Sequence, residues 1–224
     1  MTTAFIPAKS SSSRIPNKNM ISLGGKPLIA WTLEACIRWG KIDEIVVATD
    51  CSEIAYYATS WGAKVYPLED KDSNDKRTVM QLWKEFCKTQ IGTQVLFHLT
   101  SPFRKIKELN AAWDLFQSGN HDIIISVQEE RRVKLDHNGK PTVSIEERMT
   151  GLSQNRTPGF YLDGSFYIAD AKYAATCLYP EEGRVGLFPI STIGTIDINT
   201  LEDLEIARLI MSGIKNMWWN YSLQ

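Results

Sequence analysis

Short apolar segments alternate with segments of helical spacing over the first 127 residues of this chain, and this order constrains the fold more than any other feature. The first apolar segment, Thr3–Ala8, is followed by a polar loop and then by helical spacing from Pro27 to Trp39. Because strands that alternate with helices join into a parallel sheet covered on both faces, the order predicts an α/β fold. The further predicted strands are Glu44–Ala48, Lys64–Tyr66, Gln94–Leu99 and Ile123–Val127, and the further helices are Ser52–Trp61, Thr78–Thr89 and Lys107–Phe116.

The alternation stops in the second half of the chain. Residues 129–160 are charged, lack helical periodicity and contain the turn sequence His137–Lys140, so we predict a small hairpin-like β excursion from the main sheet. A chain of 224 residues can bury one full core, which predicts a single domain over residues 1–224. The remaining predicted elements are strands Gly164–Ala169 and Leu187–Ile190, a short helix Ala171–Cys177, and a terminal helix Thr200–Ile214 with Thr200 as its N-cap.

Composition narrows the choice of partners. A formal net charge of -1 gives no sign of a nucleic-acid or membrane partner. The four cysteines are widely separated and lack metal-binding spacing, which is typical of reduced thiols. The start of the chain has no basic and apolar leader, and no apolar run approaches the length of a bilayer span. We therefore expect a cytoplasmic protein that binds neither nucleic acid nor membrane.

The loop Ile6–Asn19 places four serines and three cationic side chains directly after the first predicted strand. Open α/β sheets bind ligands at the carboxyl ends of their strands, and cationic, hydroxyl and backbone N–H groups together bind a triphosphate. A solvated, flexible serine-rich loop is the alternative. The loop contains neither GxxxxGK[ST] nor GxGxxG, which excludes a Walker loop and argues against a Rossmann dinucleotide site.

Asp197 and Asn199 form a second polar cluster, just ahead of the predicted terminal helix. Alternate residues of an extended segment face the same side, so the two side-chain oxygens could bind Mg²⁺, which takes few protein ligands and completes its shell with water and phosphate. Asn199 could instead cap the helix. Asp197 lies between two isoleucines, and a buried carboxylate requires a cation.

The segment His98–Arg104 forms a third cluster, directly after a predicted strand. It combines two hydroxyls, a guanidinium and a proline that fixes the turn. An ordinary loop between strand and helix could have this composition. Three polar loops at one edge of one sheet favour a nucleotide site.

Taken in order, these motifs resemble those of the acylneuraminate cytidylyltransferases, the CMP-sialic acid synthetase family. The serine-rich first loop is most similar to the type that activates pseudaminic or legionaminic acid. The resemblance rests on IPAKSSSSRIPNKN at 6–19, LGGKPLIAWTLEA at 23–35, VATD at 47–50, LTSPFR at 99–104, DGSFYI at 163–168 and IDINTLEDLEIA at 196–207.

The resemblance implies a three-layer α/β/α, Rossmann-like fold of the nucleotide-diphospho-sugar transferase type, with a mostly parallel sheet. It implies an enzyme that transfers CMP from CTP to the anomeric hydroxyl of a nine-carbon 2-keto sugar acid and releases pyrophosphate, with Mg²⁺ as cofactor. It also implies a homodimer whose contact is the excursion at 129–160. A catalytically weakened CTP-binding homologue and a cytidylyltransferase for the eight-carbon acid KDO stay open as alternatives.

The family motifs carry functional roles onto matching positions of this chain. Lys9, Lys18 and Asp197 are the implied catalytic residues, and Asp197 and Asn199 the implied metal ligands. The implied nucleotide-binding residues are Ala8, Lys9, Ser10, Ser12, Ser13, Arg14, Lys18, Asn19 and Asp75. The implied substrate-binding residues are His98, Thr100, Ser101, Arg104, Lys134, Arg156 and Asp163.

Four of these positions depart from the usual family pattern. Lys9 stands where arginine is usual and Ser13 where lysine is common, which changes the phosphate contacts. His98 replaces a usual glutamine, and Asn199 replaces the second aspartate of a DID pair. The departures predict either an unusual sugar or a slow enzyme.

Overall fold

A seven-stranded sheet in which six strands run in one direction organises the molecule. Its strands are β1 (Thr2–Pro7), β4 (Glu44–Thr49), β5 (Lys64–Pro67), β6 (Thr93–Phe97), β7 (Ile123–Glu130), β8 (Gly159–Asp170) and β9 (Val185–Pro189), and β2 (Ser22–Leu23) pairs with β3 (Lys26–Pro27) in a separate hairpin. The order across the sheet is β5-β4-β1-β6-β8-β7-β9. Only β8 is antiparallel to its neighbours within this sheet, so the predicted mostly parallel sheet is confirmed.

This computed structural model describes residues 1–10, 12, 14–68, 77–141, 157–177 and 182–217. Three predicted site residues, Ser13, Asp75 and Arg156, lie outside the described residues.

Alternate residues of the strands pack into two separate cores, one on each face of the sheet. In β1, Ala4 and Ile6 enter one core while Phe5 enters the other, where its ring stacks on Phe86 with centroids 4.6 Å apart. A strand buried on both faces has no polar side to expose, which explains the apolar run Ala4–Ile6 at its centre.

Among the described residues, four α-helices cover one face of the sheet and two cover the other, which confirms the three-layer α/β/α architecture. These six α-helices lie within three residues of their predicted bounds. The first face carries α1 (Leu28–Trp39), α2 (Ser52–Ser60), α4 (Ile106–Gln117) and α6 (Leu201–Met217), and the second carries α3 (Val79–Cys87) and α5 (Ala171–Thr176).

The N-terminus of α6 is capped as predicted. The Thr200 hydroxyl accepts a hydrogen bond from the Asp203 N–H at 3.2 Å, and Asp203 Oδ2 accepts one from the Thr200 N–H at 2.7 Å. These reciprocal bonds satisfy two of the backbone donors that a helix start leaves unpaired. They also fix the short segment that enters the helix from β9.

The strands β7 and β8 are longer than predicted because they pair with each other beyond the main sheet. Their ladder continues to Glu130 opposite Gly159, and an isolated bridge joins Leu135 to Pro141. The Asp136 N–H donates to the Lys140 carbonyl at 2.7 Å and closes the predicted turn. The excursion is therefore hairpin-like where it is described.

Two further expectations concern the thiols and the membrane. The four cysteines form no disulfide among the described residues. Within the described ranges, none of the helices has both the length and the apolar character needed to cross a bilayer.

Candidate active site

Two hydrogen bonds join the three predicted polar clusters into one site at the carboxyl edge of the sheet. Lys18, in the loop after β1, donates from Nζ to the Ile198 carbonyl at 2.9 Å. The Ile198 N–H in turn donates to the carbonyl of Thr100, in the loop after β6, at 2.9 Å. The expected convergence of the loops is thus present, because the carboxyl ends of parallel strands share one edge.

The loop after β1 is fastened to the end of β4 by Asp50. The Ser10 N–H and hydroxyl both donate to this carboxylate, at 2.6 and 2.7 Å. Asn19, which is buried, donates from Nδ2 to the Lys9 carbonyl at 2.7 Å and closes the other end of the loop. Sequence reasoning missed Asp50, although an acid directly after a buried strand in VATD was the available signal.

Three other predicted residues of this loop, Lys9, Ser12 and Ala8, make hydrogen bonds within the protein. Lys9 Nζ reaches the Arg77 carbonyl at 3.4 Å, and Ser12 Oγ accepts from the Ile15 N–H at 3.4 Å. Ala8 requires a correction, because its N–H donates to the Ala48 carbonyl at 2.8 Å and its side chain is buried in the core. Ala8 therefore extends the sheet and offers no N–H donor to a nucleotide.

Lys18 and Arg14 converge on the side-chain oxygen of Asn199. Lys18 Nζ donates to Asn199 Oδ1 at 3.2 Å, and Arg14 donates to the same oxygen at 3.5 Å. Burial lowers the pKa of Lys18, and the nearby carboxylate of Asp197 opposes that shift. Two cationic groups therefore meet at the mouth of the site.

Asp197 has the chemistry of a metal ligand. Its Oδ2 accepts a hydrogen bond from Asn199 Nδ2, while its Oδ1 is buried and has no hydrogen-bond partner among the described residues. A buried carboxylate oxygen left without a donor favours a bound cation. Asp197 thus fits the Mg²⁺ that the family resemblance implies.

The hydrogen bonds of Asn199 argue against its predicted role as the second metal ligand. Its only side-chain oxygen already accepts from Lys18 and Arg14. An oxygen bonded to two cationic groups is a poor site for a third cation, because like charges repel. The described residues also hold no group of three His, Cys, Asp or Glu side chains that could bind a metal.

Arg104 also takes a different role from the predicted contact to substrate. All five of its N–H donors are used within the protein. They bond to Thr32 Oγ1 at 3.0 Å, to the Ser101 carbonyl at 2.6 Å, to the Ser165 carbonyl at 2.8 and 3.2 Å, and to the His98 carbonyl. Burial lowers its pKa to about 10, which leaves it cationic at neutral pH. Arg104 therefore holds the loop after β6 against β8 and α1.

Because β8 runs against its neighbours, its first half delivers Asp163–Ser165 to the same edge as the loop after β6. Four residues of β8, 163–166, face the single residue Ser126 of β7, and this bulge turns them toward the site. Gly164 has a φ of +72°, and a Cβ there would lie 3.0 Å from His98 Nδ1. Only glycine fits this close approach without strain.

Four buried polar atoms around this bulge have no hydrogen-bond partner in the part of the chain that the structure describes. They are His98 Nε2, Ser101 Oγ, Asp163 Oδ2 and Ser165 Oγ. A buried polar group without a partner costs free energy, so this cluster is a candidate place for a bound polar group or water. The predicted residues His98, Ser101 and Asp163 carry three of its four atoms.

His98 and Asp163, the two ionisable residues of this cluster, have shifted pKa values. Burial lowers the pKa of His98 to about 4, so its imidazole is neutral at physiological pH. Burial raises the pKa of Asp163, although a 2.5 Å hydrogen bond from Ser126 Oγ and one from the Ser165 N–H to its Oδ1 oppose the shift. Ser126 was missed, because nothing in an apolar strand sequence marks one serine as a partner of a distant carboxylate.

Lys134 lies in the excursion rather than beside the buried cluster of His98, Ser101, Asp163 and Ser165. Its ammonium is 5.4 Å from the centroid of the Tyr161 ring, at the far end of β8. Its predicted contact to substrate stays a prediction.

Residues 3–162 match the family described as Cytidylyltransferase. The chain belongs to the cytidylyltransferase family. Among its relatives is the CMP-N,N'-diacetyllegionaminic acid synthase of Legionella pneumophila, with 33% identity over 93% of this chain and 95% of that protein. The pseudaminic acid cytidylyltransferase of Campylobacter jejuni is 28% identical over 92% of this chain and 94% of that protein.

Solved structures place this cytidylyltransferase in the same fold. A CMP:2-keto-3-deoxy-manno-octonic acid synthetase complexed with CTP matches with a TM-score of 0.72 at 14% identity, over 95% of this chain and 98% of that one. The 4-diphosphocytidyl-2C-methyl-D-erythritol synthase of Anaerococcus prevotii gives a TM-score of 0.68 at 13% identity, over 94% and 98%. At such identities the likeness concerns the fold alone.

We expect Arg104→Lys to lower the free energy of unfolding of this cytidylyltransferase by about 3 kcal/mol, because an ammonium cannot reach four acceptors and leaves buried carbonyls unpaired. Denaturant unfolding without ligands measures the change. Arg38→Lys, at a surface arginine of α1, is the control and should change stability by less than about 0.5 kcal/mol. Unchanged stability together with a raised KM for the enzyme's substrates would instead support the predicted contact of Arg104 to substrate.

His98 makes stability depend on pH. Its pKa is about 4 when folded and 6.5 when unfolded, so the unfolded chain takes up the proton first and stability falls as pH drops below 6.5. Between pH 7 and 5 we expect the wild type to lose about 1 to 2 kcal/mol more than His98→Gln does. The same substitution at the exposed His137 serves as control, and equal pH slopes for wild type and His98→Gln would refute the assignment.

Proposed function

We propose that this cytidylyltransferase transfers CMP from CTP to the anomeric hydroxyl of a nine-carbon 2-keto sugar acid and releases pyrophosphate, in the cytoplasm. One observation carries the proposal. The chain belongs to a family of cytidylyltransferases. In it, Asp197 Oδ1, which is buried and has no hydrogen-bond partner among the described residues, lies beside the cationic Lys18 and Arg14 at the carboxyl edge of the sheet. Cations that bind phosphates next to an acid that binds a metal are what nucleotidyl transfer requires.

The loop after β1 supports the nucleotide side of this reaction. Lys9, Arg14 and Lys18 supply positive charge for the triphosphate, and the bonds from Ser10 to Asp50 hold the loop in place. The sugar hydroxyl would attack the α-phosphorus in line with the leaving pyrophosphate. Catalysis of this kind consists mainly of positioning the reactants and neutralising charge, so a fixed loop matters as much as its charges.

Asp197 would hold Mg²⁺ in this scheme, with water and phosphate oxygens completing the shell. When bound, the cation neutralises charge on the triphosphate and polarises the reacting phosphate. Asn199 does not share that ligand role, because Lys18 and Arg14 occupy its oxygen. The proposed site therefore relies on one protein carboxylate.

The cluster of buried polar atoms around the β8 bulge is the proposed sugar-acid site. Its unpaired polar atoms on His98, Ser101, Asp163 and Ser165 can exchange hydrogen bonds with sugar hydroxyl and amide groups. Relatives named for pseudaminic and legionaminic acids, at 28% and 33% identity over nearly the whole chain, support a nine-carbon substrate. The synthetase for the eight-carbon acid supports only the shared fold, at 14% identity.

We also propose that two copies form a homodimer through the extension of β7 and β8. Phe160 and Leu162 alternate along this extension with 42% and 57% of their surfaces exposed, and the excursion adds the exposed Leu135. Apolar side chains that share one face of a projecting strand favour burial against another chain.

The first test measures pyrophosphate release from CTP and Mg²⁺ with sialic, pseudaminic, legionaminic and KDO acids in turn. We expect turnover with one of the nine-carbon acids and a loss of at least about 100-fold in Asp197→Ala, because a single metal ligand is removed. Asp114→Ala, at an exposed acid of α4, should keep wild-type activity. CTP binding without turnover on any acid would favour the weakened homologue, and turnover on KDO alone would exclude the nine-carbon substrate.

The dimer is tested by sedimentation equilibrium. We expect the wild type to sediment at twice the 25.4 kDa of one chain, and the double variant Phe160→Asp with Leu162→Asp to sediment as a monomer, because buried unpaired carboxylates would oppose association. Leu209→Asp places the same charge on the exposed Leu209 of α6 and should leave the dimer intact. A dimeric double variant would place the contact elsewhere.

A further inference from the structure

Asn199 makes four hydrogen bonds that connect the cations of the site to its carboxylates. Its Oδ1 accepts from Lys18 Nζ at 3.2 Å and from Arg14 at 3.5 Å. Its Nδ2 donates to Asp197 Oδ2, and its backbone N–H donates to Asp203 Oδ2 at 2.9 Å. Every polar group of the side chain is therefore engaged within the site.

The two ends of the Asn199 amide face opposite charges. The oxygen, which can only accept, meets the two cations, and the NH₂ group, which can only donate, meets the carboxylate of Asp197. Neither lysine nor aspartate offers both a donor and an acceptor in its charged form. An amide satisfies both neighbours here through two separate atoms, one of which accepts while the other donates.

Lys18 and Asp197 are close enough to influence each other, yet they are not paired. Asp197 contributes to the electrostatic environment of Lys18, but no ion pair within 4.0 Å joins the two in the described structure. Lys18 bonds instead to the Ile198 carbonyl and to Asn199, and Asp197 Oδ1 has no hydrogen-bond partner among the described residues. A half-buried ammonium beside a buried carboxylate would ordinarily form a direct ion pair.

We propose that Asn199 is a positioning residue that keeps Lys18 and Arg14 apart from Asp197. Its amide takes the hydrogen bonds that cation and carboxylate would otherwise make with each other. Asp197 Oδ1 then remains available for a divalent cation, while Lys18 and Arg14 remain available for phosphate oxygens. This proposal rests on the proposed function in one respect, namely that Asp197 binds a metal.

The start of α6 holds the amide in position. Asp203 Oδ2 accepts from the backbone N–H groups of both Asn199 and Thr200, at 2.9 and 2.7 Å. The Ile198 side chain, just before them, is fully buried in the core. A side chain anchored on both sides loses little conformational freedom when it bridges two partners.

A crystal structure of the metal-free Asn199→Ala variant tests the separation directly. We expect Lys18 Nζ to leave the Ile198 carbonyl and to lie within 4.0 Å of Asp197 Oδ1. If Lys18 keeps its bond to Ile198 and Asp197 stays unpaired, the proposal is overturned. Should the alanine variant not fold, Asn199→Leu replaces it, since leucine keeps the branched shape of the side chain and removes both hydrogen-bonding groups.

Mn²⁺ binding to the nucleotide-free protein, followed by electron paramagnetic resonance, gives a second readout that does not depend on turnover. We expect Asn199→Ala to bind Mn²⁺ at least about 10-fold more weakly than the wild type, because Lys18 then competes for Asp197. Adding Lys18→Met to Asn199→Ala should restore affinity to within about threefold of Lys18→Met alone. If Asn199 were a ligand, the double variant would stay weak, which would overturn the positioning role.

The same titration separates the two proposals. Mn²⁺ affinity that is unchanged in Asp197→Ala would overturn the metal site of the proposed function and the metal-related purpose of Asn199 together. Asp197-dependent binding without the rescue by Lys18→Met would overturn the role of Asn199 alone.

Discussion

The guanidinium of Arg104 is the interaction on which the geometry of the site depends. It joins the loop after β6 to Thr32 of α1 and to the Ser165 carbonyl of β8, so one side chain fixes three elements against each other. The carbonyls that it satisfies belong to His98, Ser101 and Ser165, whose side chains carry three of the buried polar atoms that have no partner among the described residues. Arg104 therefore stiffens the backbone of this polar cluster without using its side-chain atoms.

The side chains around Lys18 and Asp197 differ from those around His98 and Asp163 in how their charges are balanced. The side-chain amide of Asn199 accepts a hydrogen bond from Lys18 and donates one to Asp197, so it joins the cation to the carboxylate. Around His98 the imidazole is neutral, and the carboxyl of Asp163 has a raised pKa because burial disfavours its charged form. A strongly charged group of side chains thus adjoins a weakly charged one, within a few residues of the same sheet edge.

Much of this arrangement could be predicted from the sequence because it follows from periodicity. Alternating strands and helices determine the layers, and polar residues directly after strands converge once the strands are parallel. The direction of β8 and its pairing with β7 could not be predicted, because strand direction depends on distant partners rather than on local pattern. The same limit applies to individual roles: the composition of the loop does not distinguish an arginine that contacts substrate from Arg104, which points inward. Asn199 likewise has an amide oxygen of the kind that binds metals, and only the folded structure shows that this oxygen accepts hydrogen bonds from Lys18 and Arg14.

The antiparallel insertion of β8 has a consequence for how this chain can vary. Neighbouring antiparallel strands can be joined by a turn of two residues, whereas neighbouring parallel strands need a crossover of a dozen or more. The sheet would therefore close with a minimal turn between β7 and β8, and the residues between Glu130 and Gly159 are not needed to connect them. The strand order of the described sheet therefore does not depend on the length of this connection. A change in that length alone would leave the register of β7 and β8 unchanged.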